Sequence, residues 1–267
     1  MSDPWRGAPP PDRRLEDAAS AAGPFTFPWD APLYPPFPMQ FRDASILTVC
    51  WRTDPAAIER LLPPPLEPVG DVAIAHIYRM PDVDFAGSVH ECNVMVGARL
   101  ETHGEAVTGG YSVGLYLDSD AGVAHGREVH GQPKKLASLK LETRGDLIVG
   151  EVERNGITIL TATTPFKQQR AEPAQMRRHF DFAENINYKI LPHIDGTPAI
   201  RQLTARRLQE LEILECWVGP GTVELRPNAQ APIFRLPVLE PLEAYFWRAN
   251  FTLVAGRVLH DYLAPPA

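Results

Sequence analysis

Apolar and polar residues alternate along much of this chain in short runs. They are "DVAIAHIY" (71–78), "NVMVGARLE" (93–101), "YSVGLYLD" (111–118), "LASLKLE" (136–142), "DLIVGEVE" (146–153) and "ITILTATT" (157–164). A period of two over such lengths predicts half-buried strands. Further strands are expected from Ser45, in "ILECWVGPGTVEL" (213–225) and in "EAYFWRANFTLVAGRVLHDYL" (243–263). Asn155-Gly156 between two runs predicts a type I′ hairpin, whose central residues both need positive φ. Helical patterning is scarce. In "RTDPAAIERLLPPPLEP", Asp54 can cap a short helix, Pro55 suits its first turn, and Ile58, Leu61 and Leu62 share a face until Pro63 stops it. A second short helix is expected around "EPAQMRRHF" (172–180). Many short strands with few helices predict a mainly β (α+β) fold, one mostly antiparallel sheet system closed or nearly closed into a barrel.

Ten of the 28 prolines lie within the first 40 residues and forbid regular structure there. Residues 1–40 are therefore expected to form a Pro-rich arm, its first 20 residues disordered, ahead of one domain over 41–267. The aromatics Phe25, Phe27, Trp29, Tyr34 and Phe37 predict that the later arm lies on the body or on a neighbouring copy.

A net charge of 26 − 33 = −7, without a basic block, argues against a nucleic-acid partner. Cys50, Cys92 and Cys216 are odd in number and far apart, which predicts neither disulfides nor a zinc site and fits a reducing cytoplasm. No apolar run approaches the roughly 18 residues of a membrane span. "GYSVG" (110–114) matches a nucleophile-elbow string, but it continues in alternation instead of turning into a helix, so it reads as strand. In His90-Glu91-Cys92 the side chains alternate across a strand and cannot close on one metal. No metal and no cofactor are expected.

The adjacent lysines of "REVHGQPKKLASLKLE" (127–142) carry the chemistry. A free lysine, with pKa about 10.4, is neutral in only about one molecule in 2,500 at pH 7, so a nucleophilic lysine must be desolvated or placed beside another cation. In an extended segment Lys134 and Lys135 point to opposite faces. By parity Lys135 goes with Ala137, Leu139 and Leu141, and Lys134 with Ser138 and Lys140; periodicity separates the two without choosing.

The chain resembles the acetoacetate decarboxylase family in Gly126-Arg127-Glu128 with Pro133-Lys134-Lys135-Leu136, and in "WRTDP", "LPPPLEP", "TATTPFK", "NYKILPHIDGTPAI", "CWVGPGTVEL", "APIFRLPV" and "DYL", in order. The family is a known case of a lysine activated by desolvation or a cationic neighbour. The resemblance implies a cone-like, mostly antiparallel β-barrel, an enclosed pocket, a homo-oligomer of four or more copies, and a Schiff base on the first lysine, Lys134. It assigns one pocket glutamate to Glu91. The family's arginine position falls at Ala44, near Arg42, its other glutamate position at Ala75 or His76, and its tyrosine before the lysines at Gln132. These departures resemble family members that act as aldolase-dehydratases, joining pyruvate to an aldehyde through an imine and enamine. That reaction is the leading expectation; decarboxylation of acetoacetate or another β-keto acid is the alternative, and a non-catalytic small-molecule binding protein the rival of another class. Glu91 and Tyr262 are the expected proton carriers, Tyr262 by the terminal "DYL". Gln132, His76 and Arg127 are the expected holders of the substrate carboxylate.

Overall fold

The computed structural model describes residues 25–264, apart from 85 and 103; the first 20 residues, expected to be disordered, lie outside the described residues. The chain divides into two compact units, Met1–Pro36 and Phe37–Ala267. In the first, residues 25–36 hold no strand or helix. The rings of Phe25 and Tyr34 meet edge-on at 5.9 Å, and Phe27 and Trp29 are exposed.

The second unit is built almost entirely of strands. The larger sheet contains β1 (Met39–Arg52), β2 (Glu67–Val83), β3 (Gly87–Thr102), β4 (Glu105–Leu117), β5 (Lys134–Leu136), β9 (Gln169–Arg170), β10 (Glu184–Pro192), β11 (Pro198–Arg207), β12 (Gln209–Pro220), β14 (Glu240–Leu253) and β15 (Arg257–Asp261). Its order is β15, β11, β10, β4, β3, β2, β1, β14, β12, β9, with β5 added beside β4. Pairing is antiparallel except where β4 meets β10 and β5. The smaller sheet runs β13 (Thr222–Leu225), β8 (Ile157–Pro165), β7 (Leu147–Arg154), β6 (Ser138–Arg144). The mainly β expectation holds, but β15 and β9 end the larger path without pairing to each other, so no closed barrel forms among the described residues.

Alternation divides the core into two layers. Leu47, Val49, Ala75, Ile77, Cys92 and Val94 cluster with Leu139, Ile148, Val152 and Leu160 of the smaller sheet. The intervening residues, Ile46, Cys50, Ile74, Met95, Leu115 and Trp247, cluster instead with Met176, Phe180 and Phe182. Each fully buried Ile or Leu stabilises the fold by about 1.5–3 kcal/mol.

The expected helix is α1 (Pro55–Leu61), capped by the Asp54 carboxylate, which accepts from the Ala56 N–H at 3.0 Å. Asn155 and Gly156 have φ of 54° and 77°, as the I′ hairpin requires. Around 172–180 only one 3₁₀ turn forms, Pro173–Arg177. Not anticipated from the pattern is α2 (Asp120–His125), capped by Ser119 Oγ at 3.1 Å from the Gly122 N–H and running into a π-helical turn, Gly126–His130. Gly131 ends that turn with φ of 75°, where a Cβ would sit 2.3 Å from Lys189 Cβ.

Candidate active site

The strand register sets one row of residues across five strands. Thr48 lies opposite His76, His76 opposite Asn93, Asn93 opposite Leu115, and Leu115 opposite Lys134. Directly opposed residues share a face. The next row pairs Tyr78 with Glu91 and Glu91 with Leu117. The face is the one closed by Phe180 and Phe182, and it brings the two principal expected residues together: Lys134 Nζ lies 3.0 Å from Glu91 Oε2, with the lysine buried and the glutamate mostly so.

Three features hold the lysine. Gly126 leaves space for its chain, since a Cβ there would meet Lys134 Cδ at 2.3 Å and Cε at 2.6 Å. Exposed Arg127 donates to the Lys134 carbonyl at 3.3 Å and so fixes its backbone. Gln132 is buried and donates through Nε2 to Asn185 Oδ1 at 3.2 Å. Lys135 faces away and donates to the Gln230 carbonyl.

Of the two positions that the resemblance suggests for the family's other glutamate, Ala75 packs in the opposite layer and His76 lies on the lysine's face. His76 Nδ1 pairs with Thr48 Oγ1 at 2.8 Å, and Trp247 Nε1 donates to the same hydroxyl at 2.9 Å. Burial holds the imidazole neutral, its pKa down to about 3. Ala44 lies two alternations along from Thr48 on the same layer. Burial, with help from Lys134 and Arg206, likewise holds His125 down to about 3; burial, Arg206 and then His125 hold His130 at about 2. The rings of His125 and His130 lie 5.4 Å apart, each 5.2 Å from Phe37.

A second wall comes from β10 and β11. Asn185 Nδ2 donates to Ser112 Oγ at 2.8 Å, Asn187 Nδ2 to Asn185 Oδ1 at 3.2 Å, and Thr204 Oγ1 to the His130 carbonyl at 2.6 Å. Tyr262, expected as a proton carrier, is not brought to the lysine: it packs with Tyr188 and Leu203 in the other layer, on the opposite face of β10 and β11 from Asn187 and Thr204. Its hydroxyl donates to the Pro64 carbonyl and its ring packs on Tyr188 and His260, under the Arg201 guanidinium. Burial raises its pKa.

Asn93, Asn187, His130 and Arg206 were missed by sequence reasoning. For Arg206 a signal existed. Arg206-Arg207, like Lys134-Lys135, is a pair of neighbouring cations in an extended segment, so one of the two must face inward. One group elsewhere has ligand-like spacing: Cys50, His179 and Glu243 lie within 4.8 Å of one another. It suits a cation poorly, because Glu243 already meets Arg178 and His179 and burial pushes the Cys50 thiol up.

The scaffold and site define a mainly β protein with an enclosed lysine–carboxylate pair, an arrangement suited to covalent chemistry at a carbonyl carbon. The family model "Acetoacetate decarboxylase (ADC)" matches residues 22–263. An acetoacetate decarboxylase of Paraburkholderia xenovorans is 36% identical over 91% of this chain and 94% of its own length. The crystal structure of an acetoacetate decarboxylase from Legionella pneumophila superposes with a TM-score of 0.84 at 30% identity, covering 99% of this chain and 100% of that one. The enduracididine biosynthesis enzyme MppR, in complex with the condensation product of pyruvate and imidazole 4-carboxaldehyde, shares the fold with a TM-score of 0.73 at 20% identity, over 91% of this chain and 99% of that one. The chain belongs to the acetoacetate decarboxylase family of enzymes. None of the described helices is long and apolar enough to cross a membrane.

Proposed function

We propose that this protein is a Schiff-base lyase acting on a keto acid, with Lys134 as nucleophile, and that it decarboxylates a β-keto acid. The observation that carries this reading is the buried Lys134–Glu91 contact of 3.0 Å, with Gly126 leaving room for the lysine chain. The amine of Lys134 adds to the ketone carbon, and loss of water gives a protonated imine. The bond to the carboxylate carbon then breaks, its electron pair moving into the iminium; carbon dioxide leaves and an enamine remains. A proton returns to carbon, and hydrolysis frees the product ketone and the lysine. Glu91, in contact with Nζ, relays the proton that the ammonium must lose and that the departing carbinolamine hydroxyl must gain. The relatives at 30–36% identity support decarboxylation over the aldol reaction first expected from the altered pocket residues.

One observation favours the aldolase-dehydratase as a second reading. The neutral Thr48–His76 hydrogen bond occupies the row where the family resemblance implies charged residues, and a site with less charge suits a neutral aldehyde beside the enamine of pyruvate. In that reaction the second proton carrier must come from the lysine's own face, because Tyr262 packs on the opposite side of β10 and β11.

Carbon dioxide release from acetoacetate, set against formation of an absorbing unsaturated 2-oxo acid from pyruvate plus an aldehyde, separates the two reactions. Borohydride reduction in the presence of either keto acid, followed by peptide mapping, should label Lys134. A label on any other lysine, or none, would overturn the nucleophile. Light scattering tests the proposed homo-oligomer of four or more copies.

A further inference from the structure

The buried layer beside Lys134 contains a cation for which the mechanism so far has no use. Arg206 in β11 stands opposite Asn185 in β10, and Thr204, two residues earlier on the same face, stands opposite Asn187. Thr204 reaches the His130 carbonyl, and Asn185 accepts from both Gln132 and Asn187. Gln132 and Lys134 in turn crowd the same point over Gly126, at 2.8 Å and 2.3 Å from a Cβ placed there. Arg206 is thus one cross-strand neighbour away from the group that brackets the lysine.

Its Nε is enclosed and has no hydrogen-bond partner. Among the described residues no carboxylate lies within ion-pair distance of it, whereas exposed Arg207 beside it pairs with Asp181 at 2.9 Å. Burial works against the charge of Arg206, and Glu91, Tyr78 and Glu184 are the neighbours that favour it. Arg206 as a whole is partly buried; a guanidinium keeps its proton in a protein, and a cation drawn partly out of water without an anion is costly. Such a group calls for an anion, and its planar fork matches a carboxylate.

The other residues on hand fit that task less well. Arg127 is exposed and spends a donor on the Lys134 backbone, His76 is neutral, Lys135 points to Gln230, and Lys189 donates to the Val129 carbonyl at 3.0 Å.

We propose that Arg206 is the carboxylate-binding residue of this site, holding the carboxylate of a keto acid while Lys134 forms the imine at its ketone. The proposal rests on the Schiff-base reading for its role in turnover, but not for binding itself. It also predicts how the effect divides. A carboxylate leaving as carbon dioxide loses the charge that Arg206 binds, so with a β-keto acid the arginine contributes to substrate binding more than to bond breaking.

The test compares the full-length protein with its Arg206→Met and Arg206→Lys variants by borohydride trapping at varied concentrations of pyruvate or of acetone, which has no carboxylate. Arg206→Met should raise the half-saturating pyruvate concentration about ten- to hundredfold and change that for acetone by less than about threefold, with Arg206→Lys in between. With acetoacetate, KM should rise by a similar factor while kcat is kept or increased. Equal losses for pyruvate and acetone, or no loss for pyruvate, would overturn the proposal. A Lys134→Ala background separates this idea from the imine: there, calorimetric binding of pyruvate should still weaken when Arg206→Met is added. Persistence of that binding refutes the anchor. Absence of any trapped ketone in the native protein, with Arg206-dependent pyruvate binding intact, would instead refute only the Schiff-base reading.

Discussion

The two faces of β2 and β3 are made from alternate residues of the same strands and have opposite characters. Toward the smaller sheet point Ala73, Ala75, Ile77, Cys92, Val94 and Val96, all buried, the one ionisable group among the six being a thiol that burial keeps protonated; the charged residue of this face, Arg79, comes only beyond them, opposite His90. Toward Phe180 and Phe182 the same strands turn His76, Tyr78, Glu91 and Asn93. There His76 Nε2 and Asn93 Oδ1 are enclosed without partners, as are His130 Nε2, Asn187 Oδ1 and Arg206 Nε on the facing elements. Native interiors pair nearly all their buried polar groups, so a concentration of unpaired ones on one face marks where a substrate or solvent completes the bonding. One face is built for cohesion, and the other gives up cohesion for chemistry.

Substitutions that strike one face and not the other sharpen this contrast. Lys134→Ala should lower turnover by roughly 10⁴-fold or more while circular dichroism shows the fold retained. Glu91→Gln keeps the shape of the partner and removes its proton capacity; turnover should fall about 10²–10⁴-fold, and a loss under tenfold would exclude Glu91 as the proton relay. On the opposite face, Ile77→Ala should cost about 2–5 kcal/mol in urea unfolding and leave the specific activity of the folded protein unchanged.

The site face also predicts a pH dependence of stability. His76 and His125 are held at about 3 and His130 at about 2, against about 6.5 when unfolded. Between these values the unfolded chain binds protons that the folded one refuses. Stability is therefore complete above about pH 6.5 and falls as pH drops toward 3, by up to about 1.4 kcal/mol per pH unit for each histidine. Denaturant unfolding at pH 7, 6 and 5 measures this, and a flat profile would contradict neutral burial. The smallest effect should come from Lys135→Gln. Losing the bond to the Gln230 carbonyl should cost about 0.5–1.5 kcal/mol, with turnover unchanged within about twofold. A collapse of turnover comparable to that of Lys134→Ala would assign the chemistry to the wrong lysine.

Much of this was legible from neighbouring residues alone. Alternation located most strands, Asp54 and Pro55 marked α1, Asn155-Gly156 specified its hairpin, and the adjacent lysines had to diverge because successive side chains on an extended chain do. Parity beyond Leu136 was uninformative for a definite reason: the chain breaks at Ala137, so Lys134 belongs to the larger sheet through β5 while Leu139 and Leu141 belong to the smaller one through β6. No periodicity survives a change of sheet. The π-helical turn was equally hidden, since its residues are held by close contacts at Gly126 and Gly131 with Lys134 and Lys189, not by a helical apolar pattern.

By itself, then, the amino-acid order determined local geometry: which residues extend, where they turn, and that Lys134 and Lys135 face apart, all consequences of backbone sterics acting over a few positions. Tertiary structure decided which face became dry core and which became site. That choice depends on register between strands distant in the chain, which brings Glu91 to Lys134 and sets Arg206 across from Asn185, and on which surfaces the second sheet and the phenylalanines close off from water.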